Sequence, residues 1–252
     1  VRPSRDKVAL VSSKSFDAYT DKELDAKLEF NPFTFLHILN PGYKYHQEFS
    51  GEQRFQMIHN RYEEFKENKI FIKDETASFY IYESSNVHDY FCGIIGATAV
   101  DDYNNGTIKK HEGTIKKREQ LFETYLKTTG FNAEPVLLTY KDDENFNTLL
   151  QTLKKKRPEY EFSTTDKKLH RLWLVNDKEN IKKIISFFED KEALYIADGH
   201  HRSASSSLLK TDLQAENIHH KGDENYNFFM SYIIPESNLK ISEFNRFVKD
   251  LN

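Results

Sequence analysis

The chain has 252 residues, of which 38% are hydrophobic and 30% are charged, with a formal net charge of −4 at pH 7. This composition is typical of a globular protein with a sizeable core, and no apolar run approaches the roughly 20 residues that a membrane-spanning helix needs. The acidic balance argues against nucleic acid as a partner, because nucleic-acid-binding domains are usually basic.

The first 115 residues predict short helices followed by a hairpin. Hydrophobic spacing predicts helices over 21–30 and 51–69. Between them, Asn31-Pro32-Phe33 interrupts the helical pattern, and residues 34–39 predict a strand. Residues 77–83 and 88–100 are rich in β-branched and aromatic side chains and predict two paired strands. Cys92, the single cysteine, lies in the second of these strands and is expected to be buried and inert.

From residue 116 onward, predicted helices and strands alternate. The helices cover 116–128, 144–155, 177–189 and 200–209, and the strands cover 135–140, 170–175, 193–197 and 226–234. This alternation favours an α/β or mixed α+β fold. We expect residues 1–252 to be one fragment of a larger domain, with a hairpin-rich part over 1–115 and an α/β part over 116–252. A single cysteine and the absence of a secretory signal favour a cytoplasmic location.

The motif Asp198-Gly199-His200-His201-Arg202 stands where a short apolar strand is expected to turn into a helix. A helix N-terminus presents free N–H groups and positive potential, and therefore favours a bound anion. Gly199 permits close approach of a ligand to the backbone, and the guanidinium of Arg202 suits phosphate. The alternative is structural: Asp198 would only cap the helix, and the histidines would be surface residues. Two histidines and an arginine together favour a functional site.

A second candidate cluster is Lys110-His111-Glu112, which follows a polar turn that contains glycine. A carboxylate, a histidine and a lysine close together can supply a general base and a phosphate ligand. The alternative is a solvated run of charges. Neither cluster alone supplies both a phosphate site and a general base, so we expect Glu112 and Asp198 to face one cleft.

Metal binding is expected to involve magnesium rather than zinc. The histidines occur as adjacent pairs, His200-His201 and His219-His220, and neighbours in sequence rarely bind one ion. No cysteine pair and no helical His-x-x-x-His spacing is present, which argues against a structural zinc site. Magnesium is held mainly by nucleotide phosphates and one carboxylate, and Asp198 is the candidate for that carboxylate.

These motifs resemble the domain-of-unknown-function family 1015, a group of bacterial and archaeal proteins. The core block of the family is similar to residues 196–202. The segment Ser12-Ser13-Lys14-Ser15-Phe16-Asp17 departs from the family, which commonly has Ser-Pro-Pro-Tyr-Asp there. Family members are usually longer at both ends, so we expect a truncated sequence. Further similar blocks lie at residues 31–37, 101–103, 108–114, 170–173 and 245–250.

A wider resemblance links the strand–turn–helix unit to the ParB/sulfiredoxin superfamily, whose members hold nucleotide phosphates at this turn. The resemblance implies a ParB/sulfiredoxin-like nucleotide-binding core with a mixed sheet and surrounding helices. The most similar motif is that of an archaeal free-serine kinase that uses ADP. The resemblance therefore implies a nucleotide-dependent phosphotransferase, using ATP or ADP with Mg²⁺, that acts on a small hydroxyl compound such as a free amino acid. The alternative is a nucleotide-binding regulatory module without turnover.

Charge complementarity divides the expected roles. Cations and helix N–H groups are suited to bind phosphates, and carboxylates are suited to bind a metal ion or to transfer a proton. We expect Glu112, Asp198 and His200 to be catalytic, with Glu112 as general base, although Asp198 or His200 could exchange roles with it. The expected partners are a nucleotide and a small substrate, and a homo-oligomer is compatible with the sequence. The expected phosphate- and nucleotide-binding residues are Gly199, His201, Arg202, Lys110 and His111.

Overall fold

The computed structural model describes residues 1–241, so the block at 245–250 lies outside the described residues. Within the described range, no helix is both long and apolar enough to cross a membrane. The strands are β1 (Arg2–Pro3), β2 (Phe71–Ile72), β3 (Phe79–Ser85), β4 (Tyr90–Ala99), β5 (Ile108–Lys109), β6 (Val136–Tyr140), β7 (Tyr160–Ser163), β8 (Leu169–Val175), β9 (Leu194–Asp198) and β10 (Phe228–Pro235). The helices are α1 (Val8–Val11), α2 (Asp21–Phe30), α3 (Leu36–Leu39), α4 (Gly51–Glu67), α5 (Val100–Asn104), α6 (Lys116–Thr129), α7 (Glu144–Leu153), α8 (Lys178–Glu189) and α9 (His200–Glu216).

Eight strands form one mixed sheet in the order β5-β9-β6-β10-β4-β3-β8-β7. β10 pairs in parallel with β6 and antiparallel with β4, which places it near the centre of the sheet. β9 pairs in parallel with β5 and antiparallel with β6. The sheet thus takes strands from both the 1–115 and the 116–252 segments, and the expected mixed α/β class is confirmed.

Local capping explains several helix boundaries. Thr20 and Glu23 form a reciprocal capping box at the start of α2. The side chains of Asp143 and Asp177 accept backbone N–H groups at the starts of α7 and α8. Gly130 has a positive φ of 75° and ends α6, a conformation that glycine adopts at little cost.

Two hydrophobic clusters hold the structure together. The larger fills the space between the sheet and its helices, and Ile81, Ile94 and Leu138 in it are fully buried. The smaller lies in the N-terminal helical layer, where Phe65 of α4 packs on Phe71 of β2 at 5.6 Å between ring centroids. Tyr125 of α6 contacts Phe55 of α4 at 5.4 Å, which connects the helical layer to the part that carries the Asp-Gly-His-His-Arg turn.

The prediction of a strand over 34–39 is wrong, because this segment contains the short helix α3. Leu36, His37 and Ile38 are all buried, so the segment contacts apolar surroundings on more than one side. So short and largely buried a run has no alternation that separates strand from helix. The strands β5 and β7 were not predicted, and α9 continues to Glu216 rather than ending near Leu209.

Candidate functional site

The Asp-Gly-His-His-Arg turn connects the end of β9 directly to α9. Gly199 has a φ of 100°, in the left-handed region that favours glycine. A Cβ at this position would lie 3.3 Å from Cα of Val136 in the neighbouring strand β6. No side chain caps the first N–H groups of α9 among the residues that the structure describes. The turn therefore needs glycine, and it gives α9 an N-terminus that no side chain within 1–241 caps.

His200 connects the turn to the Lys110-His111-Glu112 cluster. Its Nε2 accepts the backbone N–H of His111 at 3.4 Å, and its Nδ1 lies 3.7 Å from a carboxylate oxygen of Glu112. Burial of His200, with the adjacent His111 as a further cause, lowers the pKa of the imidazole. In the neutral ring with Nε2 as acceptor, the proton resides on Nδ1 and faces Glu112.

His201 holds the same loop at a second point. Its Nε2 accepts the backbone N–H of Ile115 at 3.2 Å, which leaves Nδ1 as the donor of the neutral ring. Two consecutive histidines thus fasten residues 110–115, called here the 110–115 loop, against the first turn of α9. The loop residues remain accessible, since the side chains of His111 and Glu112 are 58% and 64% exposed.

Arg202 lies in a network of acceptors near the turn. Its Nη2 donates to a carboxylate oxygen of Asp198 at 2.6 Å and lies 3.4 Å from Glu134, while Nη1 donates to the carbonyl of Pro135. The Asp198 side chain is 67% exposed and Arg202 is 29% exposed. The guanidinium is therefore held in place by protein acceptors while it keeps an accessible edge.

Residues of the 101–110 region pack along α9. The Nζ of Lys110 lies 3.6 Å from the ring centroid of Tyr103, a cation–π contact. Asp101 pairs with the largely buried Lys210 of α9 at 2.5 Å. The ammonium of Lys110 is therefore placed against an aromatic ring. No contact in the described structure places it against Asp198.

A cavity of about 680 Å³ opens beside Arg202. Ser13, Lys14 and Ser15 line it, so the segment that departs from the family pattern contributes to its shape. Its other polar lining includes Arg54 and Glu134, and its apolar lining comes from α3, α4 and α6. Sequence reasoning singled out Lys14 only as part of that segment, and it missed Arg54 and Glu134, because nothing in their local patterns points to one site. His200 and Glu112 do not line this cavity.

A second cavity, of about 580 Å³, shares Ser13–Ser15 with the first and is lined by His170. Nδ1 of His170 lies 2.7 Å from the Tyr82 hydroxyl, and Nε2 lies 3.0 Å from the Thr164 hydroxyl. Burial lowers the pKa of His170.

Trp173, which was expected in the core, is indeed buried.

The remaining histidine pair, His219-His220, follows the C-terminal end of α9 and not the turn at its start. Nδ1 of His220 lies 3.1 Å from Glu224, and the Tyr226 hydroxyl is 2.9 Å away. No group of three or more histidine, cysteine, aspartate or glutamate side chains within 1–241 is arranged to hold a metal ion. A single carboxylate, Asp198, fits a magnesium ion only when phosphate oxygens supply most of its ligands.

Comparison with known proteins identifies the family and not the activity. Neither the curated proteins nor the solved structures contain a match to this chain. The profile of the family described as "Protein of unknown function (DUF1015)" matches residues 1–252. The motif blocks at the turn and in the 110–115 loop, whose residues meet at the start of α9, thus lie within the matched region. The chain belongs to the DUF1015 family.

Proposed function

We propose that this protein is a nucleotide-dependent phosphotransferase that acts on a small hydroxyl compound, with a free amino acid such as serine as the first candidate. The observation that carries the proposal is the contact between His200 and Glu112 at the N-terminus of α9, which no described side chain caps. It brings a carboxylate and an imidazole beside a site that favours anions. Phosphoryl transfer needs this combination of positioning and charge neutralisation.

In the proposed mechanism, the phosphates of ATP or ADP bind at the first turn of α9. The backbone N–H groups after Gly199 and the Nδ1–H of His201 donate to phosphate oxygens, and the accessible edge of Arg202 adds a cationic donor. His111, 58% exposed on the facing loop, contributes from the other side. Lys110 is a weaker candidate, because its ammonium already contacts the Tyr103 ring.

Glu112 is the proposed general base. It accepts the proton of the acceptor hydroxyl while the hydroxyl oxygen attacks the terminal phosphorus of the nucleotide. The bond from that phosphorus to the bridging oxygen breaks, and the shortened nucleotide leaves with the electron pair. His200, whose Nε2 already accepts a backbone N–H, directs its Nδ1–H toward the Glu112 carboxylate 3.7 Å away and is proposed to act as a positioning residue.

Asp198 is proposed to orient the acceptor hydroxyl or to bind a magnesium ion that the nucleotide brings. Its exposure supports this role, and its pairing with Arg202 would place it beside the phosphates. The cavity beside Arg202 offers about 680 Å³ for the remainder of a ligand. We further propose that the strand–turn–helix unit is a ParB/sulfiredoxin-like nucleotide-binding core, a similarity that rests on the Asp-Gly-His-His-Arg motif.

The test has two stages. Calorimetric titration and thermal shift with ATP, ADP, CTP and GTP, each with and without Mg²⁺, identify the nucleotide. Phosphorus NMR then follows transfer to a panel of hydroxyl amino acids and other small alcohols. If none of the four nucleotides binds, the proposal is refuted. Binding without transfer to any acceptor would favour the regulatory module instead.

A further inference from the structure

A cavity of about 850 Å³ in the N-terminal helical layer is separate from the site described above. It lies between the segment before α1, the Asn31–His37 block and the second half of α4, and it shares no lining residue with the cavity beside Arg202. Its polar lining includes Lys7, His37, Lys44, Arg61, Glu64 and Lys69. The proposed phosphotransfer gives no role to any of these residues.

Arg61 is the central feature of this cavity. It is 6% exposed, and its Nη1 donates to Glu64 one helical turn further along α4. Its Nε–H is buried and has no hydrogen-bond partner within the described part of the chain. Arginine stays charged in proteins, and a buried donor without an acceptor is costly. A ligand that accepts from Nε would remove that cost.

The described residues 1–241 do not balance the charge around Arg61. The lining holds the cations of Lys7, Lys44, Arg61 and Lys69 against the carboxylates of Asp6 and Glu64. Glu64 serves two of these cations, since Lys44 also pairs with it at 3.2 Å. Burial alone would raise the pKa of Glu64, but hydrogen bonds from Arg61 and Lys44 hold it below its ordinary value. The cavity keeps an excess of two positive charges.

The family block at 31–37 builds one wall. Nε2 of His37 lies 3.2 Å from the carbonyl of Asn31, and because a carbonyl only accepts, Nε2 carries a proton. Burial and the charge of Arg61 lower the pKa of His37, so its ring is neutral near pH 7 and adds no cation. The side-chain N–H of Asn31 donates to the carbonyl of Leu10, and its side-chain oxygen accepts the backbone N–H of Phe33. Asn31 thus connects this wall to Leu10, Phe33 and His37 by three hydrogen bonds.

We propose that this cavity is a second binding site for a small ligand with two negative charges on oxygen atoms, carried either by a phosphate group or by a pair of carboxylates. Arg61 binds the oxyanion at the base of the cavity, and the more exposed Lys44 and Lys69 contact it from the rim. The planar guanidinium suits such oxygens better than a lysine would. The lining is also apolar at Phe33, Phe65 and Ile70, which suits a carbon skeleton on the oxyanion.

The test is titration of the whole chain with inorganic phosphate and, separately, with succinate at constant ionic strength. Calorimetry gives affinity, and NMR follows the Nε–H resonance of Arg61, assigned through its backbone connections. Titrations are run in an Arg202→Ala background, so that an anion at the start of α9 does not contribute. We expect saturable binding of at least one probe, with a shift of the Arg61 resonance.

Variants locate the binding. Lys44→Gln and Arg61→Gln should each weaken it tenfold or more. The matched control is Lys66→Gln on the same helix, because Lys66 pairs with Glu63 and does not line the cavity. If Arg61→Gln does not fold, two measurements decide the outcome. One is the affinity of Lys44→Gln for the probe, and the other is the shift of the Arg61 Nε–H resonance in the chain that carries Arg202→Ala and no other change. An unshifted resonance, or an equal loss in Lys44→Gln and Lys66→Gln, would overturn the proposal.

Discussion

The carboxylate of Glu112 lies 3.7 Å from Nδ1 of His200, although the two residues belong to separate blocks of the sequence. The contact exists because the backbone N–H groups of His111 and Ile115 donate to consecutive histidines at the start of α9. The histidines of the turn therefore act first as anchors for the 110–115 loop. The chemistry that we propose depends on this anchoring as much as on the reacting groups.

Arg202→Ala should weaken nucleotide binding tenfold or more, because a charge-assisted phosphate contact is lost. Glu112→Gln should leave nucleotide affinity nearly unchanged and lower the rate of transfer, since it removes only the base. Calorimetry and single-turnover phosphate transfer separate the two effects. Arg202→Lys is the matched control and should recover part of the affinity, because it keeps the charge without the planar fork. Unchanged affinity in Arg202→Ala would refute the phosphate-binding role of the turn.

Asp198→Asn should abolish turnover while the fold persists. The side chain keeps its shape and is 67% exposed, so losing its ion pair with Arg202 should cost no more than about 1 kcal/mol of unfolding free energy. Chemical denaturation and the transfer assay measure the two quantities. Glu216→Gln is the control and should keep most activity, because it breaks another exposed ion pair of α9, with Lys127 at 3.0 Å, away from the turn. Comparable activity in the two variants would contradict the proposed role of Asp198.

Gly199→Ala should impair both stability and nucleotide binding. The left-handed backbone should cost roughly 1–2 kcal/mol with any Cβ, and this Cβ would also press on Val136 and on the guanidinium of Arg202, each 3.3 Å away. Gly130→Ala is the matched control, because Gly130 also has a positive φ but a Cβ there meets no atom of the described residues within 4 Å. The control should lose stability only. Wild-type nucleotide affinity in Gly199→Ala would show that the turn tolerates displacement.

Glu83→Gln should destabilise the sheet by about 3–5 kcal/mol, the usual cost of removing one partner of a buried ion pair. Glu83 is 7% exposed, lies 2.9 Å from the equally buried Lys154, and also contacts Arg171 at 3.2 Å. Glu161→Gln is the control, because Glu161 pairs with the same Arg171 but is 53% exposed. That change should cost less than about 1 kcal/mol. Urea denaturation of both variants checks the difference.

The same carboxylate predicts a pH dependence. Burial would raise the pKa of Glu83, but hydrogen bonds and the charge of Lys154 hold it below the ordinary value of 4.5. A carboxyl group with a lowered pKa in the folded state contributes its full stability above its unfolded pKa. That contribution should be lost as pH falls from about 4.5 through the folded value. Denaturation of wild type and Glu83→Gln across this range should therefore converge on acidification. Parallel curves would contradict the assignment.

Elements with strong local features were predicted well. α2 occupies 21–30 as expected, because Thr20 and Glu23 cap it and Asn31-Pro32 ends it. α8 begins where Asp177 supplies a cap, and α6 ends at Gly130. α3 was predicted wrongly, because its short apolar run is buried and carries no distinguishing period. The edge strand β7 and the two-residue β5 are too short for any pattern to predict them.

The sequence by itself determined the globular composition, the strand–glycine–helix turn at 198–202 and the family membership, since each depends on residue types and on their order along the chain. Only the tertiary structure decided that Glu112 contacts His200, that Arg202 borders a cavity lined by Lys14 and Arg54, and that the buried Nε–H of Arg61 finds no acceptor among residues 1–241. These relationships depend on the order of strands in the sheet and on how α6 packs against both α4 and α9. Local patterns do not encode them, because contacts between distant segments follow from the joint burial of apolar surface across the whole fold.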